Sequence, residues 1–391
     1  MHVLLPRLTS LRLAVVFCGS LFTWDRACAQ LVTTLADSGP GSLREAIADA
    51  SPGVTITFAT NGTIYITSGF SYVITNDLTI AGPGPENLTI DGGGNIVFGI
   101  LGGPTVTVSG LTIANGNGSP VFAGGVYNEG TLAISNVTLV GNQSGNGLGG
   151  AIFNRGSLTM VDSILSSNFV VGIDGVGGGI YNSGTLLISN SILDGNFATS
   201  GSTGGGAIYN DNGFLTISHS TLSGNFAESD GNQNRGDGGG IYNDEGSVVI
   251  VDSALSGNSA RGNGFSGRGK GGGIFNINGS IEIMDSTLSN NSADWSGGGI
   301  HHDSGRSTLN NCTLASNSAG LSAPGGGIFV NFGTNVLMNC TITRNYGYHG
   351  GGLYSLSPGL IVTNTIVAGN TGGGGTENNI DSPPGIVFAT A

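Results

Sequence analysis

Nine times this chain writes glycines, an aliphatic residue and an aromatic one, usually closed by asparagine. The phrase is GGGIYN at 177–182 and again at 238–243, with variants running from GGVYN to GGGLYS. Its aliphatic position falls at Val126, Ile152, Ile180, Ile208, Ile241, Ile274, Ile300, Ile328 and Leu353, in steps of 25 to 33 residues. A self-similar period of that length marks a solenoid, in which each repeat packs only on its neighbours.

The second half of each unit is as regular. In GTLLISNSILDGN, at 184–196, Leu186, Ile188, Ile192 and Asn196 recur as columns. The closing asparagine is present in all nine units, at Asn142, Asn168, Asn196, Asn225, Asn258, Asn291, Asn317, Asn345 and Asn370. Alternating apolar residues inside short segments predict strands with one buried face. Coils of such strands pair in register about 4.8 Å apart, so equal positions line up. A helical repeat fails, because no unit has helical apolar spacing and glycine is too frequent. The expected fold is therefore all-β, a right-handed, single-stranded parallel β-helix. Its closing asparagines are expected to form an inward ladder of side-chain amides and to tolerate left-handed backbone. Asn225 should then matter more to stability than a loop residue such as Ser229. The aromatics beside the core aliphatics, Tyr127 to Tyr354, are expected to face outward.

Four segments follow: a signal peptide at 1–29, a capping module with irregular first coils at 30–120, regular repeats at 121–372 and a tail at 373–391. Arg7 and Arg12 precede a short apolar stretch and a small-residue cleavage site, which is the pattern of an export signal. That stretch is too short to span a membrane, and no later one is long enough. In GSLREAIADA, at 41–50, Ser42 and Glu45 are placed to cap a short helix that would cover the open end of the stack. The 74 glycines do not follow a collagen period. A net charge of −13, with Lys270 the only lysine, repels nucleic acid and anionic lipid.

The stretches VTTLADSGPGSLREAI (32–47) and LTIAGPGPENLTIDGGG (78–94) resemble the N-terminal module of secreted bacterial proteins named for a Cys-Ser-Leu-Arg-Glu-Ala motif, with Gly41 in place of the cysteine. The glycine-rich units resemble the repeats of polymorphic outer membrane proteins. That resemblance implies a β-helix at the bacterial surface. Those proteins also carry a C-terminal barrel, for which the residues after the repeats are too few. Secretion to the periplasm or medium, or association with the cell surface, is the expectation.

Candidate sites fall in three groups. Asp252 and Asp285 occupy one column in adjacent coils, a spacing of about 5–6 Å that suits a pair of glycosidase carboxylates. Five of the nine members of that column are asparagine, so it also reads as a polar corner. The two longest loops, at 226–237 and 259–270, hold Arg235, Arg261, Arg268 and Lys270. A lyase needs such a base and often Ca²⁺, for which Asp230 and Asp237 would be the carboxylates. The third group is Trp295, His301, His302 and, two coils on, Tyr346, Tyr348 and His349. Flat aromatics at coil steps suit sugar rings, and no zinc spacing is met. Cys312 and Cys340 share a column otherwise rich in serine and are expected to stack inward as neighbours, where a disulfide is allowed by backbone distance but disfavoured by parallel Cβ directions.

Two function classes remain. One is a non-catalytic exported β-helix, without cofactor, whose loops bind glycan or a neighbouring cell surface at an edge near Arg268, Lys270 and Trp295, with His301 and Tyr348. The other is an enzyme cleaving an acidic polysaccharide.

Overall fold

The computed structural model describes residues 29–69, 71–118, 123–145, 147–172, 175–200, 204–229, 236–262, 268–382 and 387–389. The signal peptide expected at 1–29 lies outside them, save Ala29. The strands form a parallel β-solenoid. Among the described residues the nine phrase strands, with Tyr72–Ile74, Phe98–Ile100 and Ile380–Asp381, build one sheet of 12. The second half of each coil supplies a sheet of 24 strands, and a third sheet of 7 runs from Gln143–Gly145 to Ser318–Ala319. Strands pair in parallel and in register from coil to coil, as in Ile180↔Ile208, Leu186↔Leu215 and Phe197↔Phe226. The columns through Ile180, Leu186 and Ile188 are buried in one continuous core, which is completed by Leu193, while the Ile192 column faces outward, with Ile192 itself 44% exposed. No helix among the described residues is long and apolar enough to cross a membrane.

The helix spans Leu43–Ala48, and Ser42 accepts the Glu45 N–H at 3.2 Å. Leu43, Ala46 and Ile47 are buried against the first coils. Asp37 ties this cap down. It accepts from Arg44 at 2.6 Å and from the backbone N–H groups of Thr67 and Ser68 at 3.0 and 2.8 Å. Burial pushes its carboxyl up, but Arg44 and those donors outweigh it and hold the group at about 2.

The asparagine ladder is buried throughout. Each side-chain amide donates to the next side-chain oxygen, from Asn142 to Asn370, at 2.9–3.0 Å. Asn379 extends it by one further rung, at 3.1 Å. The left-handed backbone is not at the ladder asparagine itself. It falls one residue earlier, at Gly141, Ser167, Gly195, Gly224, Gly257, Asn290, Ser316, Arg344 and Gly369.

A second ladder runs through the asparagine that closes the phrase. Asn128, Asn154, Asn182, Asn210, Asn243 and Asn276 are buried and linked at 2.6–2.7 Å. A serine column adds a third. The N–H groups of Ser163, Ser191, Ser220 and Ser253 each donate to the next hydroxyl at 3.1 Å. Cys312 and Cys340 continue that column as buried free thiols. Burial has a clear reason at all three: each rung satisfies polar groups that water cannot reach.

Two expectations are corrected. The aromatics leave the main core but do not face solvent. From Tyr127 to Phe329 they are buried, with ring centroids 4.6–5.8 Å apart. Ala123 and Val176 pack on them, and Leu148 adds a partly buried flank, so these segments ahead of the phrase close a second apolar layer. Only Tyr354 at the end of the row is half-buried. Ser229 is also buried, at 1% exposure, and is not an exposed loop residue.

Candidate functional site

Asp252 and Asp285 sit where the chain turns within the long sheet, both with positive φ, 47° and 51°. All nine members of their column share this left-handed backbone, which favours Asn, Asp and His. Asp285 accepts from Asn311 at 2.6 Å, and His219 Nε2 lies 3.6 Å from Asp252. Asp252, Asp285 and His219 line an open cavity of about 470 Å³ together with Thr221 and Thr287. The column choice is thus explained by the turn, and the carboxylates remain exposed beside it.

The loop edge gathers the other candidates. Arg268 lies over Trp295, its Cζ 4.6 Å from the ring centroid, and Trp295 is 41% exposed. The Trp295 backbone N–H donates to the Gly269 carbonyl at 2.8 Å, which places this residue one coil from Arg268 and Lys270. Lys270 leans back over Phe275, Nζ 5.6 Å from its centroid. The Tyr348 N–H donates to Ala323 at 2.7 Å, while Gly297 donates to Pro324 at 3.3 Å. Tyr348 therefore stands two coils from Trp295, about 9.6 Å along the axis. It is exposed and packs edge-on against His349. Leu321, on the coil between, is also exposed. The sequence reading missed it, although a leucine in a loop as long as 318–325 was the available signal.

Other candidates lie elsewhere. Asp237 is buried and accepts the Lys270 N–H at 2.9 Å, so its carboxylate holds a backbone group between coils. Asp230 and Arg235 fall outside the described residues. Among the described residues no group of three His, Cys, Asp or Glu is placed to hold a metal ion. The Cys340 thiol beside it and burial push the Cys312 thiol above its ordinary value.

His301 is not on the surface. It is a buried member of the aromatic stack between Phe275 and Phe329, with Nδ1 2.8 Å from Ser296 Oγ and Nε2 3.6 Å from Asp303. His302 ends the second ladder, its Nδ1 3.0 Å from the Asn276 amide. The Nε2 atoms of both histidines are buried without a hydrogen-bond partner. Burial lowers both to about 4.

This has a stability consequence with a definite sign. The unfolded chain takes up these protons near pH 6.5 and the folded one only near 4, so stability is lost as pH falls through that window. Between pH 7 and 5 each histidine should cost about 2 kcal/mol. His302→Asn should restore the ladder and remove one proton from the slope of melting temperature on pH. Parallel slopes for wild type and variant would contradict this.

The fold and its edge define a parallel β-solenoid that displays aromatic and cationic side chains from loops. Among solved structures the chain is similar to the A-module of the mannuronan C-5 epimerase AlgE4 of Azotobacter vinelandii, at 14% identity and a TM-score of 0.41, covering 86% of this chain and 87% of that one. It is similar to the Agl-KA catalytic domain at 14% identity and a TM-score of 0.45, over 89% and 64% of the two chains. It is also similar to PfbA, a surface adhesin of Streptococcus pneumoniae, at 12% identity and a TM-score of 0.39, over 93% and 91%. Likenesses of this size say nothing about activity. No protein-family model and no curated protein matches the chain.

Proposed function

We propose that this is an exported, non-catalytic β-helix protein that binds glycan through its loop edge, at or near the bacterial cell surface. The observation that carries the reading is the half-exposed Trp295 under Arg268, with Leu321 and Tyr348 following on the next two coils. An amphipathic aromatic beside a guanidinium offers a flat apolar face and directed donors, which together match a sugar ring. The likeness of the repeats to polymorphic outer membrane proteins, and of residues 32–47 to the Cys-Ser-Leu-Arg-Glu-Ala module, supports the surface location. The reading needs no cofactor.

The test is binding to a panel of immobilised glycans. Arg268→Ala with Trp295→Ala should weaken the response at least tenfold, with an unchanged melting temperature. Undiminished binding would overturn the edge as the site. The enzymatic reading has one observation in its favour, the cavity holding Asp252 and Asp285. As a hydrolase it requires release of new reducing ends from an acidic polysaccharide that Asp252→Asn abolishes; as a lyase it requires release of unsaturated uronate, followed by ultraviolet absorbance with and without Ca²⁺.

A further inference from the structure

A second concave surface lies away from the loop edge, where each phrase strand turns into the long sheet. One outward column there reads Phe214, Ser247, Ser280 and Arg306 in successive coils. The two serines leave a notch between a phenyl ring and a guanidinium. Three strand steps separate its ends, about 14 Å. Phe214 is 66% exposed, and no other ring packs on it among the described residues. The floor is glycine for a structural reason. A Cβ at Gly246 would come 2.2 Å from the ladder amide of Asn210, and one at Gly279 2.3 Å from that of Asn243. Two adjoining hollows of about 390 and 250 Å³ share Ser247, Ser280 and Arg306 and so form one trough. Small-molecule clefts run roughly 300–1,000 Å³. Glu245 borders the first hollow and Glu282 the second.

We propose that this trough binds neutral pyranose units of a polysaccharide, independently of the loop edge. An exposed phenyl gives the apolar contact. Sugar hydroxyls both donate and accept, so they are matched by a lining that mixes carboxylates, a guanidinium and serine hydroxyls. A polyanion is not matched: Glu245 and Glu282 line the same trough as Arg306, on a chain whose net charge is −13.

The test uses the protein from residue 30 onward and isothermal titration. Cellohexaose, xylohexaose and mannohexaose are the neutral probes and hexagalacturonate the acidic one. At least one neutral probe should bind. Phe214→Ala should weaken it at least tenfold, Phe214→Trp should keep it, and Ser247→Tyr, which fills the notch at an outward position, should abolish it. Trp295→Ala should leave it unchanged, which separates this trough from the edge. Failure of all neutral probes, tighter binding of hexagalacturonate, or affinity that survives both Phe214→Ala and Ser247→Tyr would overturn the proposal.

Discussion

Replacing Asn225 with leucine should lower stability by at least about 3 kcal/mol. Its amide donates to Asn258 and to the Leu193 carbonyl, both at 2.9 Å. Its oxygen accepts from the Asn196 N–H at 2.9 Å and the Asn196 amide at 3.0 Å. Leucine leaves these partners buried and unpaired, at a cost of about 1–3 kcal/mol each where nothing relaxes. Exposed positions behave differently. Ile366→Thr, at a strand site 62% exposed, should change stability by less than about 0.5 kcal/mol. Equal melting temperatures for the two variants would remove the ladder from the account.

Gly239→Ala should be at least as damaging, about 3 kcal/mol or more. An added Cβ would lie 2.4 Å from the Ser259 carbonyl carbon and oxygen and 2.5 Å from the Gly272 carbonyl oxygen. Every one of these atoms is backbone of an adjacent strand, so no side chain can swing aside. The contrast is Gly195, whose added Cβ would meet nothing within 4 Å but whose φ is +60°. There Gly195→Asn should cost little, because asparagine enters left-handed backbone readily. Thermal unfolding of the two variants compares them directly. A Gly239→Ala variant as stable as wild type would mean that the coils do not approach so closely.

The repeat made the solenoid legible because register forces equal residues into equal environments. Period and alternation were enough to place most core aliphatics, the closing asparagines and the inward cysteines, but Ile192 recurs as a column although its neighbour Leu193 is the inward residue. What alternation cannot tell is whether the outward face of a strand is covered. Tyr127 to Phe329 face away from the core and are still buried, because their rings stack on one another and Ala123, Leu148 and Val176 pack on them. The second ladder was visible only as the asparagine of the phrase, and His302, Val330 and Ser355 mark where it stops. The turn column at Asp252 and Asp285 looked chemical because Asp, Asn and His suit both active sites and left-handed backbone. Trp295 and Tyr348 were legible as loop residues two coils apart, because loop length varied only after the closing asparagine. The trough between Phe214 and Arg306 was not legible. It depends on two small residues between two large ones in a column that varies from coil to coil.

The central claim is that the phrase is scaffold and that the loop edge is a glycan-binding surface distinct from the Phe214 trough. Hydrogen–deuterium exchange, with and without a glycan selected from the panel, tests it most directly. The account predicts slow exchange along Ile180–Asn182, Ile208–Asp211 and Ile241–Asp244 whether or not glycan is present. It predicts new protection at 259–262, 268–270 and 294–296. Protection gained instead around Asp252 and Asp285, with the loop edge unchanged, would contradict it.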